Sequence, residues 1–364
     1  MEKFVVSARK YRPQGFDEVV GQEHITTTLE NAINNNHLAQ AFLFCGPRGV
    51  GKTTCARILA RMVNGFEETD ISSTMNIYEL DAASNNSVDD IRSLVEQVRY
   101  PPQQGKYKVY IIDEVHMLST SAFNAFLKTL EEPPAYAIFI LATTEKHKII
   151  PTILSRCQIF DFNRIQISDS AKHLAKIATR ENIKYEEEAL RLIAEKADGA
   201  LRDALSIFDL IVTFSGNEIT YKNTIKNLHI LDYDYYFKTT EALLNENIST
   251  SLLIFNEIIN EGFDGHIFIV GLASHFRNLL VCKDSQTLQL LEVSEEVKQR
   301  YLDQSKTADV SFLISALSVA SSCDINYKTS KNARLHVELT LMKMASLRNA
   351  FKSAQLLEEI KKKD

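Results

Sequence analysis

Eight residues near the start of the chain, Gly46-Pro47-Arg48-Gly49-Val50-Gly51-Lys52-Thr53, carry two glycines, a lysine and a hydroxyl at the offsets of a phosphate-binding loop. Glycine lets the backbone turn successive N–H groups onto phosphate oxygens. Lys52 supplies a point charge, and the Thr53 hydroxyl is placed to ligate magnesium. Gly46, Gly49, Val50, Gly51 and Thr54 complete the candidate nucleotide-binding set. A second cluster follows Val109-Tyr110-Ile111-Ile112, an apolar run that ends in two carboxylates. Asp113 suits the magnesium shell and Glu114 suits polarisation of an attacking water. A third run, Ala137 to Ala142, ends in Thr143-Thr144, either of which could hydrogen-bond a γ-phosphate or that water.

A glycine-rich octet alone is also an ordinary turn, so the flanking elements decide. Ala41-Phe42-Leu43-Phe44-Cys45 reads as a short buried strand. Thr54 to Val63 reads as a helix with Ile58, Leu59 and Met62 on one side, giving the order strand, loop, helix. That helix offers the positive end of its dipole to the same anion. Further strands are expected at Ile77 to Leu80, at Val109 to Ile112, at Ala137 to Ala142 and at Gln158 to Phe162, making five in a parallel sheet. Between them lie a helix capped by Ser87, with Ile91, Leu94, Val95 and Val98 inward, and another over Ser119 to Glu132, with Phe123, Phe126, Leu127 and Leu130 inward. Ligands in such sheets bind at the carboxyl ends of the strands, where the loop, Asp113 and the threonines all fall.

Residues 8 to 22 carry no helix period and read as an irregular arm ahead of a helix at Glu23 to Asn34. The first domain is expected to close near residue 166. Beyond it no strand alternation is visible. Helices are expected over 168–182, 186–197 and 201–214, with Gly199 and Gly216 near breaks and Arg202 opening the third. From about 231 the chain again reads as helical, with Phe268, Ile269, Leu272, Phe276 and Leu279, and then Leu335, Leu339, Met342 and Leu347, at helical spacing. This gives domains at 1–166, 167–230 and 231–364, the last suited to packing and assembly.

At 364 residues, with 45% hydrophobic and 24% charged, the composition is that of an ordinary globular chain of two or three domains. No stretch reaches the roughly 20 apolar residues of a membrane span. Met1 to Ser7 lacks a secretory signal's apolar core, so a cytoplasmic compartment is expected. Cysteines at 45, 55, 157, 282 and 323 form neither a CxxC pair nor a Cys/His cluster, so no disulfide framework and no zinc site are expected. The net charge of −6 argues against indiscriminate nucleic-acid binding but leaves a local basic surface open.

The octet, Asp113-Glu114-Val115-His116, the threonine pair, Ser155-Arg156-Cys157 and an arginine opening a helix in a small helical domain together resemble a clamp-loader ATPase of the AAA+ class. That resemblance covers essentially the whole chain. It implies an α/β P-loop AAA+ domain with a five-stranded parallel sheet, a small helical lid domain and an all-α oligomerisation collar. It implies an ATPase that uses ATP and Mg2+ to open a sliding clamp and load it on primer–template DNA. Its partners would be delta and delta-prime subunits, further copies of its own kind, the clamp, and DNA held by the phosphate backbone. The resemblance also places the arm, with Tyr11, Arg12 and Val20, over the adenine, and makes Thr144 the sensor hydroxyl. Arg202 would reach the γ-phosphate, and Arg156 would complete a neighbouring subunit's site in trans.

The family usually carries a four-cysteine zinc module after the loop helix. Here that place holds Asn64 to Asp70 without a cysteine, so no zinc is expected. The family also has longer forms, and tethering functions of such an extension are not expected of this sequence. Three other functions share parts of this pattern. A DExH helicase would need a second strand-rich motor domain, another AAA+ motor would lack the Ser-Arg-Cys context, and a nucleotide-binding scaffold would not need an intact Lys52, Asp113 and Glu114.

Overall fold

The computed structural model describes residues 5–66, 76–103, 105–228, 231–291, 293 and 295–349. The chain divides into two compact units, Met1–Thr224 and Ile225–Asp364.

The first unit is built on five strands: β1 (Ala41–Cys45), β2 (Ile77–Asp81), β3 (Lys108–Asp113), β4 (Ala137–Thr143) and β5 (Gln158–Asp161). They form one parallel sheet in the order β2-β3-β4-β1-β5. All of β1 and β4 is buried, which is why they read as unbroken apolar runs and not as alternating ones. The arm carries α1 (Ser7–Lys10), and helices cover both faces of the sheet: α2 (Glu23–Asn34), α3 (Lys52–Met62), α4 (Val88–Val98), α5 (Thr120–Glu131) and α6 (Pro151–Leu154).

One face packs Phe42, Phe44, Phe160 and Phe162 against Ile25, Leu29, Ile58 and Leu59. The other packs Tyr110, Phe139 and Phe126 against Ile91, Leu94 and Ala122, with the rings of Tyr78, Tyr110 and Phe139 stacked in series. Each such buried side chain contributes roughly 1.5–3 kcal/mol of transfer free energy. Ser87 closes a capping box with Asp90 at the start of α4. The register brings Cys45 level with both Thr143 and Asp161, so the ends of β1, β4 and β5 share one edge of the sheet.

After the sheet come α7 (Ile167–Arg180), α8 (Glu187–Lys196), α9 (Leu201–Ser215) and α10 (Tyr221–Leu228). Lys184–Tyr185 and Glu218–Ile219, β6 and β7, form a small parallel pair where no strand was expected, and two residues are too few to show a period. Met62 is exposed, because it closes the last turn of α3 beyond the sheet's cover. The arm is not wholly irregular: it contains α1 and a turn of 3₁₀ helix at Phe16–Glu18 that buries Phe16. Of the place expected for the cysteine module, residues 64–70, those from 67 onward lie outside the described residues.

The second unit is helical: α11 (Tyr233–Leu244), α12 (Ile248–Asn260), α13 (Gly265–Val281), α14 (Glu295–Thr307), α15 (Val310–Tyr327) and α16 (Ala333–Ala345). Its core gathers Phe237, Phe255, Phe268, Phe276, Tyr301, Phe312 and Leu341. Leu335 and Leu339 are exposed, whereas Val337, Leu341 and Met344 face inward. Apolar residues occur on both sides of α16, so spacing alone did not select its buried face. Among the described residues one helix, α15, has 18 residues of mean hydropathy 1.2, long and apolar enough by length and composition alone to cross a membrane, as the core helix of a soluble protein also can be. It places Phe312, Leu313, Ala316, Ala320 and Cys323 in the core.

At the core's centre lies His275, 1% exposed, with Nδ1 3.1 Å from the Tyr301 hydroxyl and Nε2 2.8 Å from Gln304 Oε1. Burial lowers its pKa to about 4, with the nearby Arg300 charge acting in the same direction and the Gln304 hydrogen bond opposing it.

Candidate functional site

The loop after β1 wraps tightly because its glycines take conformations closed to other residues. Gly46 has φ 145°, and a Cβ there would lie 2.3 Å from the Phe162 carbonyl oxygen. Gly49 has φ 78°, and a Cβ there would meet Ala200 Cβ at 3.1 Å and Arg202 Cβ at 3.4 Å. The Arg202 N–H donates to the Gly49 carbonyl at 3.3 Å, so the loop and the start of α9 are joined.

Lys52 is 6% exposed and donates from Nζ to the Gly46 and Pro47 carbonyls, both at 2.7 Å. Desolvation lowers its pKa, while the charges of Glu114 and Asp113 pull the other way. The Thr53 hydroxyl donates to Asp113 Oδ2 at 2.6 Å, bridging the loop to the end of β3. A hydroxyl and a carboxylate held together at a helix start are hard oxygen donors, so Thr53 and Asp113 fit a magnesium ion.

Glu114 follows Asp113 in a left-handed conformation, φ 48°, unusual for a residue with a side chain. Its N–H donates to Asp113 Oδ1 at 2.9 Å. Its Oε2 accepts from the Thr144 hydroxyl at 3.1 Å and the Thr144 N–H at 3.3 Å. Thr144 thus touches Glu114, and Thr143, fully buried, accepts the Glu145 N–H at 3.0 Å.

Lys52, Thr53, Asp113 and Glu114 border a cleft of about 180 Å3, whereas Thr143 and Thr144 are not among its lining residues. Tyr11, Arg12, Val20, Gly49, Val50, Gly51, Lys52, Thr53, Thr54, Asp113, Glu114 and Arg202 all line it. Gly46 instead meets the Lys52 ammonium through its carbonyl. Arg156 is not among the lining residues: its guanidinium donates to Glu131 Oε1 at 2.7 Å and the Thr152 carbonyl at 2.6 Å.

Sequence reasoning missed Pro13, Ile165, Leu201 and Leu205, which add apolar wall, because their placement depends on chain returns. It also missed the fastenings of the arm. Ser7 N–H donates to Asp209 Oδ2 at 2.7 Å, and Lys10 and Tyr11 both donate to Glu181. Fully buried Gln22 donates to the Asn163 carbonyl at 2.7 Å and accepts its N–H at 3.3 Å. No local pattern signals contacts across that many residues.

A DNA polymerase III subunit gamma from Buchnera aphidicola subsp. Baizongia pistaciae is 38% identical over 307 residues, covering 80% of this chain and 79% of the relative. The chain belongs to the DNA polymerase III gamma/tau family. The tau subunit of Bacillus subtilis is likewise 38% identical, over 367 residues and 97% of this chain. The chain spans 65% of that relative's length and 44% of the Escherichia coli tau subunit's.

Family models match three consecutive stretches. Residues 21–166 match "DNA polymerase III, delta subunit", residues 169–217 match "DNA polymerase III clamp loader subunit, ATPase lid domain", and residues 226–360 match "DNA polymerase III subunits gamma and tau domain III". A solved RuvB mutant of Thermotoga maritima superposes with a TM-score of 0.50 at 20% identity, covering 64% of the gamma/tau-family chain and 80% of its own. That likeness shows a shared AAA+ fold alone.

Proposed function

We propose that this chain is the ATPase motor subunit of a bacterial replicative clamp loader. ATP binding and hydrolysis would drive opening of a sliding clamp and its loading on primer–template DNA. The observation that carries this reading is the joining of Thr53 to Asp113 beside buried Lys52, at the sheet edge where Glu114 and Thr144 also meet. Membership of the gamma/tau family supports the partner set: delta and delta-prime subunits, further gamma/tau copies, the clamp, and DNA gripped by its backbone. The place of action is the bacterial cytoplasm.

In this reading the loop amides and Lys52 hold the triphosphate, and Tyr11, Arg12 and Val20 enclose the base. Thr53 and Asp113 would hold magnesium, which when bound would supply charge stabilisation to the transferring phosphoryl group. Glu114 accepts the proton of the attacking water, Thr144 senses the γ-phosphate, and Arg202 reaches it from the lid. Arg156 acts in trans, completing the site of a neighbouring subunit. Its exposed ion pair with Glu131, on its own subunit and outside the cleft, is consistent with that role. We also propose the division into an AAA+ domain at 1–166, a lid at 167–230 and a collar at 231–364, which the three matched stretches support.

The test is ATP turnover by the chain alone, then with the other loader subunits, clamp and primed DNA. Strong stimulation in the full mixture is expected. Unchanged turnover there overturns the proposal.

A further inference from the structure

We propose that His116 is a positioning residue that sets where the Glu114 carboxylate sits, and that it ties this setting to the loop at Glu145. The proposal rests on the reading of Glu114 as the group that activates water. The His116 side chain is only 6% exposed and stands between two carboxylates. Its Nδ1 is 3.4 Å from Glu114 Oε2 and 3.1 Å from the Thr143 hydroxyl, and its Nε2 is 3.3 Å from Glu145 Oε1. Glu145 is held in turn by its N–H on Thr143 and by Lys148 Nζ at 2.9 Å. The imidazole is therefore the joint between the end of β3, the end of β4 and the segment running on to α6 and Arg156.

His116 does not line the cleft, so it acts through Glu114 and not on nucleotide. Glu114 Oε2 takes both donors of Thr144, and the imidazole Nδ1, hydrogen-bonded to Thr143, stands 3.4 Å from the same oxygen. Without the ring nitrogens the carboxylate keeps Thr144 but loses the brace that fixes its angle. A displacement of up to about 1 Å at a reacting group lowers rate by as much as about 100-fold. Nucleotide affinity has no such dependence on this ring.

The experiment compares His116→Phe, His116→Gln, Glu145→Gln and Glu114→Gln, each as the full chain in the assembled loader with ATP, magnesium, clamp and primed DNA. His116→Phe fills the space without a polar atom and is expected to lower kcat about 10- to 100-fold. Its nucleotide Kd should stay within about twofold of wild type. His116→Gln, which restores a polar contact, should recover most of the rate, and Glu145→Gln should lower kcat several-fold with Kd unchanged.

Wild-type kcat in His116→Phe overturns the proposal. So do equal losses in the Phe and Gln variants accompanied by a lower Tm, since that pattern means packing alone. If His116→Phe does not fold, wild-type kcat in Glu145→Gln overturns it instead. Glu114→Gln separates the two layers. An active Glu114→Gln defeats the reading of Glu114 itself, whereas an inactive one beside a normal His116→Phe defeats only the role of His116.

Discussion

Acidification should unlock the second unit through one side chain, His275. In the folded chain its imidazole titrates at about 4, because burial among Tyr236, Phe237 and Tyr301 disfavours the charged ring. In the unfolded chain it returns to the ordinary imidazole value of about 6.5. The folded value is the lower one, so as pH falls the unfolded chain takes up the proton first. The stability that His275 contributes is therefore whole above pH 6.5 and is lost as pH falls toward 4.

The gap of about 2.5 pH decades, at about 1.4 kcal/mol each, gives roughly 3 kcal/mol in all. Of this, about 2 kcal/mol disappears between pH 7 and pH 5. Urea unfolding of wild type and His275→Gln at both pH values isolates the effect, because the other titrating groups are shared. The difference in unfolding free energy between the two proteins should change by that amount across the interval. Imidazole NMR, with the His275 signal assigned by its loss in the variant, reads the titration directly. A His275 titration at or above 6.5, or the same pH dependence in both proteins, refutes the reasoning.

Three further outcomes are expected. Arg156→Ala should leave ATP binding by the isolated chain nearly intact while lowering assembly-stimulated turnover about 10³- to 10⁵-fold; a large loss of affinity in the isolated chain, measured by nucleotide titration, would place this arginine in its own site. Gly49→Ala introduces a left-handed alanine against Ala200 and should weaken nucleotide binding by about 1–2 kcal/mol, roughly 5- to 30-fold, by the same titration. Ser87→Ala removes the capping box of α4 and should destabilise the first unit by about 1 kcal/mol in urea, with ATP affinity unchanged.

What could be read ahead of the structure was local. The octet at Gly46 to Thr53 and the run into Asp113 and Glu114 each lie within a few consecutive residues, and the parallel sheet announces itself as unbroken apolar strands. The register that brings Thr53 to Asp113 joins positions 60 residues apart, and only the strand order creates it. His116 appeared in the sequence as one letter of a box, without any sign that it stands between Glu114 and Glu145. The two-residue strands β6 and β7 lacked the length to show alternation. In α16 an apolar outer side made Leu335 and Leu339 look like core, when Val337 and Leu341 occupy that position.

The bond from the Arg202 N–H to the Gly49 carbonyl also has a mechanical meaning. Helix α9 starts at the phosphate loop itself and runs 15 residues, about 22 Å, to Ser215. It is a pointer pivoted at the loop. A tilt of about 5° where Leu201 borders the cleft sweeps the far end by about 2 Å. A change too small to notice among the glycines is thereby magnified into a displacement as large as a side-chain contact.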